Sequence, residues 1–138
     1  MRGDKRAFFD TNVLIYAFAK DDPRTEAVEE LLARGGVLGV QTLNEFVVLA
    51  VRQLAMPWQE VLQALGELRI LCPSPRPITV ETHDTAVRIA GQYRYPIHDS
   101  LVIATALEAS CSTLYTEDMQ DGQVIEGLTI QNPFRGWI

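Results

Sequence analysis

Apolar residues along the chain fall into two rhythms. Ala7-Phe8-Phe9, Val37 to Val40, Ile70-Leu71-Cys72, Thr113-Leu114-Tyr115 and Leu128-Thr129-Ile130 are runs of three or four. They are too short for a helix on their own and predict buried β-strands. Longer stretches between them carry helical signals. Val13 to Phe18 can begin a helix, and Asp22-Pro23 combines a capping acid with a first-turn proline ahead of a helix to Arg34, where Gly35-Gly36 stops it. Thr42-Leu43-Asn44-Glu45 has the spacing of a capping box before the apolar run Phe46 to Leu54, which Met56-Pro57 breaks. Trp58, Val61, Leu62, Leu65 and Leu68 then form one helical stripe, expected to be core. Pro73 to Pro77, with three prolines, predicts an extended connector. Thr79 opens a helix carrying Val80, Ala86, Val87 and Ala90, and Asp99-Ser100 opens a strongly apolar one through Ala109.

Strands alternating with helices predict an α/β sandwich around a mostly parallel sheet. The 138 residues suit one domain, 1–138, without internal repeat or linker, and 47% hydrophobic content can fill its core. No apolar run nears the roughly 20 residues of a membrane span. The start, Met1-Arg2-Gly3-Asp4-Lys5-Arg6, lacks the apolar core of a signal peptide, so a cytoplasmic location is expected. Cys72 and Cys111 are the only cysteines and have no CxxC spacing, which predicts free, buried thiols rather than a disulfide or a zinc site.

The net charge of −6 speaks against a nucleic-acid partner, because phosphate binding usually shows as an excess of base. Placing four of the acids in one cation site removes most of that excess. The bases are nearly all arginine, with Lys5 and Lys20 the only lysines, and arginine suits bidentate phosphate contacts. Those four acids occupy equivalent positions. Asp10 ends the first strand, Glu45 opens the helix after the second, Asp99 stands at a helix N-terminus, and Asp118 follows the strand ending at Tyr115. In a parallel α/β sheet such positions gather on one edge, where ligands bind.

Singly, Glu45, Asp99 and Asp118 also read as cap or turn residues. Asp10 does not. It lies between apolar runs with no base from Arg6 to Lys20, and a charge buried there needs a compensating partner. Four clustered carboxylates require cations or protonation, and an all-oxygen ligand set favours Mg²⁺ or Mn²⁺ over zinc. A metal-free nuclease would need histidines for proton transfer, and there are only His83 and His98. A phosphatase with an aspartyl nucleophile would need a second Asp where Asn12 stands. A non-catalytic binding module remains open as an alternative.

Four segments also carry a resemblance: Phe8-Phe9-Asp10-Thr11-Asn12-Val13-Leu14-Ile15-Tyr16, Thr42-Leu43-Asn44-Glu45-Phe46, His98-Asp99-Ser100-Leu101-Val102-Ile103-Ala104-Thr105-Ala106 and Leu114-Tyr115-Thr116-Glu117-Asp118. In that order the chain resembles a PIN domain, and within that group the toxin ribonucleases of type II VapBC toxin–antitoxin pairs. The resemblance implies a parallel five-stranded sheet with helices on both faces and Mg²⁺-dependent endonucleolytic cutting of RNA, with Mn²⁺ able to substitute. It implies an acidic quartet of Asp10, Glu45, Asp99 and Asp118. Asp10, Asp99 and Asp118 would be metal ligands, and Glu45 would orient or deprotonate a water. Thr11, Asn12 and Thr116 are expected to support the acids, and Asp121 could share or replace the role of Asp118. Partners implied are RNA, a cognate antitoxin protein lying across the acidic groove, and a second copy of the chain in a homodimer. A PIN-like module that binds RNA or protein without cutting is the alternative within the same fold. For RNA contact Arg24, Arg52, Arg76, Arg94, Tyr93 and Tyr95 are candidates.

Overall fold

A computed structural model describes residues 6–135; the N-terminal run read above, Met1 to Lys5, lies outside the described residues. Chain order is β1 (Ala7–Phe9), α1 (Thr11–Leu14) running into a 3-10 turn (Ile15–Phe18), α2 (Arg24–Ala33), α3 (Val40–Arg52), α4 (Trp58–Leu71), α5 (Val80–Tyr93), α6 (Ile97–Glu108), β2 (Thr113–Tyr115), β3 (Val124–Ile125) and β4 (Leu128–Gln131). The sheet order is β1-β2-β4-β3, with β1, β2 and β4 parallel and β3 antiparallel to β4.

Because successive side chains of a strand point to opposite faces, Phe8 and Phe9 enter different cores. Phe8 packs with Ala86, Ile89, Ile103 and Ala106 of α5 and α6. Phe9 packs with Val13, Leu14, Leu38, Phe46 and Leu68 on the side of α1 to α4. Helices thus cover both faces, as expected.

The sheet has four strands rather than the expected five. Two expected strands are absent and β3 is additional; the first absent one, Val37 to Val40, lies beside β1 through one parallel bridge, Phe8 to Val37, with bonds from Val37 N–H to Ala7 O (2.8 Å) and from Phe9 N–H to Val37 O (3.3 Å). Val40 already belongs to α3, so no ladder can continue. The approach is close enough to require Gly36, where an added Cβ would lie 2.5 Å from the Phe9 ring and 2.8 Å from Ala7 O.

A second expected strand, Ile70-Leu71-Cys72, is the last turn of α4 and its cap. Val61, Ala64 and Leu68 are buried, and Cys72 continues their stripe one turn later, while Ile70 is 80% exposed. The stripe is narrower than expected, since Trp58 and Leu62 are exposed. The capping box at Thr42 and Glu45 also fails: Gly39 is the N-cap of α3, and both residues lie inside the helix. Likewise α6 starts at Ile97 behind Pro96, which puts Asp99 in its first turn rather than at its cap. Thr79 caps α5 as expected, in a box with Thr82. Cys72 and Cys111 are free and buried, and burial pushes both thiols up to about 11.

Candidate active site

Parallel pairing of β1 and β2 sets Phe9 opposite Tyr115, so the next residues, Asp10 and Thr116, leave the sheet side by side. Asp10 is the N-cap of α1, and its Oδ1 accepts the Thr11 N–H at 2.8 Å. Its Oδ2 accepts the Thr116 hydroxyl at 2.8 Å. That hydroxyl in turn accepts Asn12 Nδ2 (3.4 Å) and the Asp118 N–H (3.2 Å), while Asn12 Oδ1 accepts the Glu117 N–H (3.3 Å). Of the expected supporting residues, Asn12 and Thr116 therefore tie the end of β1 to the turn after β2, while the Thr11 amide holds Asp10.

Asp10, Glu45, Asp99 and Asp118 line one cavity of about 340 Å³, together with Thr11, Asn12 and His98 and an apolar flank of Val48 and Leu49. Four segments of chain, with the first and last acids just past the ends of neighbouring parallel strands, are thereby brought together. Asp121 is not among the lining residues. Its Oδ1 accepts the Asn132 N–H at 2.7 Å, and its other oxygen stands 3.9 Å from Arg135.

The acids divide by partner. Glu45 receives the Thr11 hydroxyl at 3.1 Å and pairs with His98 Nε2 at 3.0 Å. Asp10, Asp99 and Asp118 have no arginine or lysine partner among the described residues. Asp10 is 5% exposed, and burial pushes its carboxyl up to about 6 against the two hydroxyl and amide donors, with Asp118 and Asp99 adding repulsion. Asp99 is raised as well, by burial first, then opposed by His98 and aided by Asp118 and Glu45. The pocket is an acid-lined concavity whose lining holds no arginine or lysine and one histidine, His98.

Among the described residues no three Asp, Glu, His or Cys side chains stand gathered as a ready ligand set for a metal ion. Gathering them has a cost: two carboxylates at about 5 Å repel by roughly 3 kcal/mol at an effective dielectric near 20. Drawing them to one point needs rotation about side-chain bonds and a cation to offset that cost. All-oxygen donors and unpaired acids suit a hard divalent ion.

One cluster was not anticipated from the sequence. Tyr16 Oη donates to Glu117 Oε1 (2.8 Å) and accepts Arg24 Nη1 (3.0 Å), while Arg24 also grips Asp22 at 3.0 Å and stacks 4.0 Å from the Tyr16 ring. It braces the turn that carries Asp118. Arg24, a candidate RNA contact, is thus engaged within the protein. The only sequence signal was the position of Tyr16 just after the Asp-Thr-Asn run.

No curated protein matches the chain. Solved structures do. The sarcin–ricin-loop-cleaving toxin VapC20 of Mycobacterium tuberculosis has a TM-score of 0.65 at 17% identity, over 81% of this chain and 89% of that one. A toxin–antitoxin complex from Klebsiella pneumoniae has 0.70 at 22%, over 92% and 97%. VapBC2 of Rickettsia felis, bound to a DNA fragment from its promoter, has 0.62 at 16%, over 91% and 97%. At such identities the likeness is one of fold. The sequence model of the PIN domain matches residues 7–120, a stretch holding all four acids of the pocket, and the chain belongs to the PIN-domain family.

Proposed function

We propose that this chain is a metal-dependent endoribonuclease that hydrolyses RNA phosphodiester bonds as the toxin of a type II toxin–antitoxin pair. One observation carries the reading: four acids from distant segments line one pocket, and among the described residues three of them have no ion-pair partner. PIN-domain nucleases generally use divalent metal ions. Here Asp10, Asp99 and Asp118 would hold the ion, with Mg²⁺ the natural choice and Mn²⁺ a substitute. A bound divalent ion neutralises non-bridging phosphate oxygens and lowers the pKa of water.

The chain's own residues supply position and proton handling. Thr116 and the Thr11 amide hold both oxygens of Asp10, so its carboxylate is aimed before anything binds. Glu45, fixed by Thr11 and His98, is the group placed to orient the attacking water or to take its proton. Asn12 and Tyr16 keep the Glu117–Asp118 turn against the end of β1.

An antitoxin partner is supported by the fold relatives that occur as toxin–antitoxin complexes. A homodimer is supported by large apolar side chains left exposed on α3 and α4, among them Val48, Val51, Trp58 and Leu62. Among the described residues no helix is long and apolar enough to cross a membrane.

Asp10→Asn tests the assignment: Mn²⁺-dependent cleavage of single-stranded RNA should fall by more than about a hundredfold, beyond what loss of an outer-shell group usually costs. Near-wild-type cleavage by that variant, in preparations free of contaminating nuclease, would end it. A second reading, a binding module of the same fold without turnover, is favoured by the spread of the carboxylates. It predicts no cleavage by the unaltered chain at any concentration of Mn²⁺.

A further inference from the structure

Beside the acidic pocket lies a second cavity of about 290 Å³, and Glu45 and His98 line both. Ligand sites run from roughly 300 to 1,000 Å³, so this one suits a single ring system. Its walls are mainly apolar, from Phe8 of β1, Ile78 before α5, and Leu101 and Val102 of α6; Gln41 also lines it, as does Thr105, whose hydroxyl is spent on Leu101 O at 2.7 Å.

Two features separate it from a gap in packing. Thr42 lines it, is 4% exposed, and its hydroxyl has no hydrogen-bond partner among the described residues. A helical threonine usually returns its hydroxyl to the carbonyl four residues back. Here that carbonyl, Leu38 O, lies outside the helix and accepts the Arg76 N–H at 2.9 Å. A buried polar group left unpaired is costly unless a ligand satisfies it. The second feature is Gly39, also in the lining. A Cβ there would sit 3.3 Å from Thr42 Oγ1 and 3.5 Å from the Phe8 ring, in space the glycine leaves open.

We propose that this cavity receives one nucleobase of the RNA, that of a nucleotide flanking the bond to be cut, and that Thr42 is a specificity-determining residue that hydrogen-bonds the base edge. The inference rests on the ribonuclease reading above. Largely apolar walls with one buried hydroxyl that no protein group engages among the described residues suit an unstacked base, which single-stranded RNA offers as a π-face and a polar edge. An apolar protein side chain would fill the walls and leave the hydroxyl unpaired. A phosphate has no arginine or lysine to meet among the lining residues. The shared wall of Glu45 and His98 sets a base in the cavity next to a phosphate at the acids.

The test is cleavage of a randomised single-stranded RNA pool with Mn²⁺, with sequencing of the new ends. The unaltered chain should show a base preference at one position beside the cut. Thr42→Val should reduce that preference roughly 3- to 10-fold, the worth of one neutral hydrogen bond, while Thr42→Ser should keep it. Gly39→Ala, which narrows the cavity, should shift the preference toward smaller bases. The readout is the ratio of cutting among bases, which a general loss of folding or activity does not move. Cleavage by the unaltered chain with the same preference in all three variants overturns the base site and assigns the cavity to a protein side chain or to nothing. No cleavage by the unaltered chain overturns the ribonuclease reading, and the base site with it.

Discussion

Without metal, Asp10 should cost the protein stability, and its removal should make the fold more robust while removing its chemistry. Burial raises its carboxyl from the ordinary 3.8 to about 6 in the folded state. The folded protein therefore holds the Asp10 proton more tightly than the unfolded chain does. Ionised Asp10 lowers stability in full above about pH 6, and the penalty fades as pH falls from there toward 3.8. A shift of about two units corresponds to on the order of 3 kcal/mol. Asparagine imitates the neutral form but cannot reproduce both present bonds. Its amide oxygen can keep the Thr11 N–H, whereas its NH₂ would face a Thr116 hydroxyl that already accepts from Asn12 and Asp118. That mismatch costs about 1 kcal/mol. The net gain expected for Asp10→Asn is about 2 kcal/mol, or roughly 6–10 °C in Tm for a chain of this size.

Thermal melting in EDTA at about pH 7.5 and again near pH 4.5 reads this directly, since the gain should be present at the higher pH and small at the lower. Comparing variant with unaltered chain at each pH cancels, to first order, the titration of Asp99, which is raised for similar reasons. Millimolar Mn²⁺ at the higher pH should raise the Tm of the unaltered chain by mass action on the folded state. The variant should lose that rise. An Asp10→Asn protein that melts at or below the unaltered chain in EDTA at neutral pH refutes the burial argument. Absence of any Mn²⁺ effect on the unaltered chain refutes the cation site.

Thr116→Val removes the hydroxyl that donates to Asp10 and leaves the Asp118 N–H without its acceptor. Urea denaturation in EDTA near neutral pH should show a loss of about 2–3 kcal/mol, smaller below pH 6, where Asp10 gains its proton; a loss independent of pH would refute the link to Asp10. Gly36→Ala places a methyl carbon 2.5 Å from the Phe9 ring and 2.8 Å from Ala7 O. It should cost about 2–4 kcal/mol in the same assay, and a neutral result would show that the segment beside β1 can move away.

Asp10 was legible because its signal is about energy rather than local shape: a carboxylate between apolar runs, with no base near it in sequence, has to be compensated from elsewhere. The layer order was legible for a similar reason, since Phe8 and Phe9 must face opposite sides of a strand. Local motifs misled where tertiary contacts decide. Thr42 and Glu45 have capping-box spacing, yet α3 begins two residues before Thr42. Ile70-Leu71-Cys72 reads as a strand by composition, but Cys72 extends the buried stripe of Leu68, which only the helical register reveals. The pair Val124–Ile125 is too short to register as a periodic signal. It is held as β3 by a tight turn in which Glu126 (φ 51°) and Gly127 (φ 91°) both take positive φ.

The misread motif is also the most informative one. Freed from capping, Glu45 is held on one oxygen by Thr11 and on the other by His98, so both of its oxygens are engaged by protein side chains. Asp10, Asp99 and Asp118 are left to repel one another. Equal ligands in one cluster would share that imbalance. An acid whose two oxygens are both engaged by protein side chains is less free to turn toward a cation and keeps an oriented lone pair for a water. The division of partners therefore favours three acids that hold an ion and one that handles the water's proton. It predicts that Glu45→Gln, unlike Asp10→Asn, should retain most of the Mn²⁺-induced rise in Tm while losing cleavage; equal loss of both would put Glu45 among the ligands.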